Sequence, residues 1–147
     1  MDYLTDRFAR FGKEIGAAEA ERLAGLVEDH SHYVQQLGQV AFGLSAPTCT
    51  AEVVETAFRQ LIGQLEPFFS QQVAPLTQTQ LGFLRAVLDG REALSSREVR
   101  DEYRLGASAN VAKLKTAMPE REFVQLDREG RFEFVDPVFA AWLRIRL

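Results

Sequence analysis

The chain has 147 residues, of which 46% are hydrophobic and 26% are charged, and its formal net charge is −4. These totals are typical of a globular protein with one or two small domains. No apolar run approaches the roughly 18 residues of a membrane-spanning helix and no secretory signal is visible, so we expect no membrane partner and a cytoplasmic location. A single cysteine, Cys49, excludes an internal disulfide and a cysteine-based metal cluster.

Charge is distributed unevenly along the chain. Residues 1–76 hold five Lys/Arg and ten Asp/Glu, a net charge of −5, whereas residues 77–147 hold twelve and eleven, a net charge of +1. Dedicated DNA-binding domains usually carry a clear basic excess, because neutralised phosphates supply most of their affinity. The charge balance therefore disfavours nucleic acid as the main partner.

The first half of the chain is predicted to be helical. Apolar residues recur at helical spacing in four segments, 2–11, 17–29, 31–44 and 50–72. Residues 12–16 form a short linker, and Ser31 is the expected N-cap of the third helix. Pro67 lies inside the fourth pattern, where we expect it to kink the helix or to end it early.

Pro75 marks the predicted boundary between two domains, residues 1–75 and residues 76–147. Three further helices are expected after it, because a capping residue precedes each apolar pattern. These expected caps are Thr77, Ser95 and Ser108. Pro119 is predicted to stop the third of these helices.

A β-hairpin is predicted after the three helices. Residues 123–126 and 131–134 alternate between apolar and polar side chains, as strands do, and residues 127–130 join them with a glycine that can adopt positive φ. Three helices followed by a hairpin is the layout of a winged helix–turn–helix domain. The predicted fold class is therefore mainly α, with a small hairpin wing.

The end of the chain combines a strand, a proline turn and a short helix. Asp136-Pro137 stops the strand and starts the helix, since proline suits the first helical position. Aromatic side chains are concentrated here and near residue 68, and we expect them to form a core. They are Phe68, Phe69, Phe123, Phe132, Phe134, Phe139 and Trp142.

Three segments, in this order, resemble the C-terminal part of the archaeal-type ATPase family, a P-loop group close to the AAA and STAND classes. They are Tyr3-Leu4-Thr5-Asp6-Arg7-Phe8, then His32-Tyr33-Val34-Gln35, and finally Asp136-Pro137 followed by Trp142-Leu143-Arg144. The resemblance implies a helical lid bundle followed by a winged helix–turn–helix domain. It also implies a non-catalytic fragment that covers a nucleotide and relays nucleotide state to a partner.

The sequence and the resemblance together predict whether the chain is catalytic and which cofactor it uses. The chain contains no G-x-x-x-x-G-K-[ST] motif and no strand ending in a Walker-type acid, so we expect no ATP hydrolysis by this chain. The resemblance implies that an N-terminal P-loop ATPase domain is the partner. ATP and Mg²⁺ would belong to that full-length protein, and no cofactor is expected in the fragment.

The segment 29–35 resembles the "GHPyyvq" motif of the family's lid, where His30, Ser31 and Tyr33 take motif positions. The resemblance implies that these three residues face the nucleotide, although Asp29 and Ser31 replace the motif's Gly and Pro. The alternative is that Asp29 and Ser31 cap a helix beside exposed histidines. We expect no metal site at His30 and His32, because side chains two positions apart on a helix point in different directions.

A second interpretation makes the chain a winged-helix DNA-binding transcriptional regulator with a helical N-terminal dimerisation region. Its DNA-contacting residues would lie on the third helix and on the wing. The candidates are Ser108, Asn110, Lys113, Lys115, Arg128 and Arg131. Acidic residues stand among these cations and would repel phosphate, so the favoured alternative is a solvated surface.

Overall fold

A computed structural model describes residues 2–147 of the chain. In this part of the chain the elements are α1 (Asp2–Arg10), β1 (Glu14–Ile15), α2 (Ala17–Leu26), α3 (Ser31–Leu44), β2 (Thr48–Cys49), α4 (Ala51–Val73), α5 (Gln78–Leu88), α6 (Arg97–Tyr103), α7 (Ser108–Glu120), β3 (Val124–Leu126), β4 (Phe132–Phe134) and α8 (Pro137–Arg146). The mainly helical fold class is confirmed. No helix among the described residues is long and apolar enough to cross a bilayer.

The chain divides into two compact units, and the division lies between Glu66 and Pro67. The sequence placed this boundary later, at Pro75. The division falls within α4, which continues past Pro67 as far as Val73, so the helix has no early end. Burial of Leu61 before the proline and of Phe69 after it stabilises both halves of α4. This burial offsets the one backbone hydrogen bond that Pro67 cannot donate.

The first unit packs the apolar stripes of its helices around one core. The largest fully buried side chains of this core are Leu4, Phe8, Leu23, Val27 and Leu37. The predicted linker 12–16 contains a strand, since β1 pairs in parallel with β2 through Glu14–Thr48 and Ile15–Cys49. Cys49 is buried there, and desolvation raises the pKa of its thiol, which suits a structural side chain.

Local capping chemistry explains the helices of the second unit. Thr77 and Gln80 form the expected reciprocal capping box at the start of α5. The predictions for the next two helices are wrong by one residue, because Ser96 rather than Ser95 caps α6 and Ala107 precedes α7 without a side-chain cap. Pro119 lies inside α7, which ends one residue later at Glu120.

The predicted hairpin is confirmed as an antiparallel pair in which Gln125 lies opposite Glu133. Gly130 has the positive φ that the turn requires, at 79°. The Asp127 carboxylate accepts the N–H groups of Glu129 and Arg131, both at 2.9 Å. The Arg131 bond is the main cause that lowers the pKa of Asp127. The turn is therefore held by its own side chain as well as by the ladder.

An aromatic core lies beneath this hairpin. Phe69, Phe139 and Trp142 are buried, with ring centroids 5.4 Å apart for Phe69–Phe139 and 5.6 Å for Phe69–Trp142. Asp136 Oδ1 accepts the N–H groups at the start of α8 and sets the direction of that helix. The prediction for Phe68 is wrong: this side chain is 55% exposed.

Candidate functional site

The turn before α3 has an unusual backbone. Glu28 and Asp29 both adopt left-handed conformations, with φ of 52° and 58°. Each costs about 1–2 kcal/mol for a residue other than glycine. The helix predicted to reach Asp29 therefore ends at Leu26, and the chain reverses through bonds from Asp29 N–H to Ala24 O at 2.8 Å and from His30 N–H to Val27 O at 3.0 Å. Strain of this kind often occurs at functional positions.

The N-terminus of α3 lacks a side-chain cap. His30 is the N-cap in extended conformation and Ser31 is the first helical residue, so neither Asp29 nor Ser31 caps the helix. The first N–H groups of a helix, here those of Ser31 and His32, have no acceptor within the helix, and the N-cap side chain does not accept from them. They lie at the positive end of the helix dipole.

Three aromatic rings lie in the same turn. The ring centroid of Tyr33 lies 5.2 Å from that of His30 and 5.9 Å from that of His32. Both histidines are exposed, and Tyr33 is half-buried. We call residues 28–33 the α3 turn; the three predicted nucleotide-facing residues, His30, Ser31 and Tyr33, lie together in it.

The chemistry of the α3 turn fits a planar base better than a phosphate. Exposed imidazole rings and uncapped N–H groups can contact a heteroaromatic ring that has acceptor nitrogens. Glu28 and Asp29 are exposed beside them, and their carboxylates repel phosphate. Residues 2–147 hold no cluster of three or more His, Cys, Asp or Glu side chains arranged for a metal ion.

The six predicted DNA-contacting residues fall into two groups. The side chains of Ser108, Lys113 and Arg128 are exposed, and none of the three forms a hydrogen bond or an ion pair with another described residue. The other three, Asn110, Lys115 and Arg131, bind neighbouring groups of the protein.

Asn110 has a structural partner in the turn between α6 and α7. Its Nδ2 donates to Leu105 O at 2.7 Å, and the residue is half-buried. Sequence reasoning missed Arg100, whose guanidinium donates to Ser95 O at 3.1 Å and to Gly106 O at 3.3 Å. No pattern in the sequence indicates either contact, because both need the folded turn.

Arg131 is surrounded by carboxylates. Its guanidinium lies 3.1 Å from Glu92, 3.4 Å from Asp127 and 3.5 Å from Glu129, and the Glu92 bond is the main cause that raises its pKa. Lys115 Nζ donates to Ser95 Oγ at 3.2 Å. Much of the positive charge predicted to meet phosphate is thus already neutralised or hydrogen-bonded.

An open cleft of about 920 Å³ lies beside the hairpin in the second unit. Three of its lining side chains are large, apolar and exposed: Phe68 at 55%, Leu126 at 59% and Val135 at 40%. We call this feature the wing cleft. Sequence periodicity placed Phe68 in the core, so the periodicity did not predict the exposure of its side chain.

Comparison of the chain with protein-family models, with curated proteins and with solved structures finds no match. Its function is therefore inferred from its own residues and their geometry.

Proposed function

We propose that this chain is a non-catalytic lid and winged-helix region of an archaeal-type, STAND-like ATPase, which covers the nucleotide and relays nucleotide state to a protein partner. One observation carries the relay: three large apolar side chains of the wing cleft are exposed, whereas two of the cations predicted to meet DNA, Arg131 and Lys115, are bound to other groups of the protein. Exposed apolar patches typically mark protein-binding surfaces.

The element order of the second unit supports a winged helix–turn–helix class in this proposal. Two helices, α6 and α7, are joined by four residues, 104–107, and the hairpin β3–β4 follows them directly. Arg104 and Gly106 take positive φ in that short turn. A helix, a tight turn, a second helix and a wing support this assignment. The fold alone does not choose between DNA and protein as the partner.

The first unit is assigned to the lid. The α3 turn is the feature that supports this role, because its strained backbone presents uncapped N–H groups beside aromatic rings. These groups would hold the base of ATP or ADP, and the missing P-loop domain would supply the phosphate and Mg²⁺ contacts. The chain itself turns over no ATP in this proposal.

The experiment that tests the proposal begins with the gene. Reading upstream of the Met1 codon should reveal a P-loop motif in the same frame. An in-frame stop codon close upstream, with no such motif, would contradict the assignment.

The extended protein then tests the α3 turn. We expect His30→Ala to weaken ADP binding about tenfold, or about 1.4 kcal/mol, in isothermal titration. His32→Ala is the comparison variant: its ring centroid lies farther from Tyr33, at 5.9 Å, than that of His30, at 5.2 Å, so we expect a smaller loss of affinity than for His30→Ala. Equal effects of the two substitutions, or none from either, would remove the α3 turn from the nucleotide site.

The alternative is a DNA-binding regulator, and the observation in its favour is that Lys113 and Arg128 are exposed without partners. We expect the chain to bind duplex DNA only weakly, with a Kd of about 10 µM or more in about 150 mM salt and no sequence preference. Fluorescence anisotropy across a salt series measures this. Sub-micromolar, sequence-selective binding that Lys113→Ala abolishes would instead establish the regulator.

A further inference from the structure

A second concave surface lies in the first unit, between α1 and α3. It encloses about 260 Å³ and is mainly apolar. The two helices approach closely because Gly38 has no side chain: a Cβ built there would lie 2.8 Å from Leu4 Cδ2. We call it the α1–α3 groove.

Aromatic side chains form the walls of the groove, and two of them are unusually open to solvent. Tyr3 is 44% exposed and Phe11 is 61% exposed. The Phe42 ring packs edge-to-face against two of these rings. Its centroid lies 5.2 Å from that of Phe8 and 6.2 Å from that of Phe11. Exposed aromatic rings around a concavity are typical of the anchoring pockets of protein interfaces.

Arg7 is the one charged residue among the described side chains that line the groove. Its guanidinium lies 5.8 Å from the ring centroids of both Tyr3 and Phe11. No described carboxylate pairs with it, although other arginines of the chain, such as Arg22 with Glu55, are paired. An apolar groove with one unpaired cation at its wall is complementary to an apolar group that carries a nearby negative charge.

The size of the groove narrows the choice of occupant. A volume of about 260 Å³ is below the range of about 300–1,000 Å³ that is usual for small-molecule sites. It is suited to a single large side chain. A partner that inserts one side chain can place a carboxylate from an adjacent residue over Arg7, where a charge-assisted hydrogen bond would form.

We propose that the α1–α3 groove is a docking site for a partner protein, which inserts one large apolar side chain and pairs a neighbouring carboxylate with Arg7. The proposal goes beyond the proposed function and does not depend on it, because it uses no residue of the α3 turn or of the wing cleft. The recognised feature is one aromatic or leucine side chain with a carboxylate on an adjacent residue.

The test is an NMR titration of the full chain with the peptide acetyl-Glu-Glu-Phe-Leu-Glu-Glu-amide. We expect amide shifts confined to α1, Phe11 and α3, with a Kd of about 1 mM or tighter. Two control peptides separate the parts of the interaction. One replaces every Glu by Lys and the other replaces Phe and Leu by Ala, and both should bind at least about fivefold more weakly.

Matched variants locate the contact on the protein. Arg7→Glu should weaken binding of the acidic peptide at least about fivefold, whereas Arg10→Glu reverses the same charge one turn away and should change it less than about twofold. Phe11→Ala should weaken binding by a similar factor, and its melting temperature should match that of the parent chain because Phe11 is exposed.

Any of four results would overturn the proposal. The first three are equal binding of the acidic and lysine peptides, equal effects of Arg7→Glu and Arg10→Glu, and shifts outside α1, Phe11 and α3. Shifts in α1 and α3 that appear on raising the protein concentration without peptide would also overturn it, because they would assign the groove to a second copy of the chain.

Discussion

Replacing Gly82 by Ala should lower the melting temperature of the protein by more than about 10 °C, as measured by circular dichroism at 222 nm. Gly82 is buried on α5, and a Cβ there would lie 2.2 Å from the backbone oxygen of Tyr103 and 3.3 Å from Leu105 Cδ2. A backbone oxygen cannot rotate away as a side chain can, so α6 must shift. Overpacking of this kind typically costs about 1–3 kcal/mol, and the displaced helix adds to that cost.

Gly63→Ala is the matched control for this prediction. Gly63 lies within α4, and a Cβ there would have no neighbour within 4 Å. The same substitution should therefore stabilise the helix by about 0.5–1 kcal/mol, because alanine loses less backbone entropy than glycine. A Gly82→Ala protein that melts within about 2 °C of the parent would show that α5 and the end of α6 are not in close contact.

Elements specified by local chemistry could be predicted from the sequence. The Thr77–Gln80 capping box, the Asp136-Pro137 helix start and the positive φ of Gly130 each depend on groups within a few residues of one another. Such signals are visible because the partner of each group is near in sequence.

Elements that depend on distant partners could not be predicted. The strand pair β1–β2 has two residues per strand, too few for any periodicity, and it joins Glu14 to Thr48. The acids near Arg131 in sequence were visible, but its shortest ion pair is with Glu92, 39 positions away. Ser95, the predicted cap, instead accepts a hydrogen bond from Lys115, 20 positions away, and Ser96 caps α6.

The two candidate sites also differ in how far the sequence predicts them. His30, Ser31 and Tyr33 were chosen by resemblance to a lid motif, and residues so close in sequence share one turn whatever their role, so their nucleotide-facing role stays a prediction. Apolar periodicity does not distinguish a buried ring from an exposed one at the edge of a stripe. Phe68 at the wing cleft is therefore apparent as a surface residue only in the folded protein.

Trp142→Ala should also be severely destabilising. Trp142 is 2% exposed, and its ring centroid lies 5.6 Å from Phe69 and 5.7 Å from Phe139. The Arg146 guanidinium covers it at 5.2 Å. Truncating a buried tryptophan costs about 3–5 kcal/mol, which for a unit of this size lowers the melting temperature by well over 10 °C. Calorimetry measures the shift, and the parent protein's blue-shifted, poorly quenched tryptophan emission checks the burial.

Phe68→Ala is the control for Trp142→Ala, because Phe68 is next to Phe69 in the chain yet is 55% exposed. Its truncation removes little buried surface, so the melting temperature should change by only about 2–3 °C. Both substitutions remove an aromatic ring, so the difference between the two melting temperatures reports the effect of burial. If Trp142→Ala melted like Phe68→Ala, and the parent emission were that of a solvated indole, α8 would not be packed against Phe69. The terminal helix would then be available to dock on another protein rather than to close the core of the second unit.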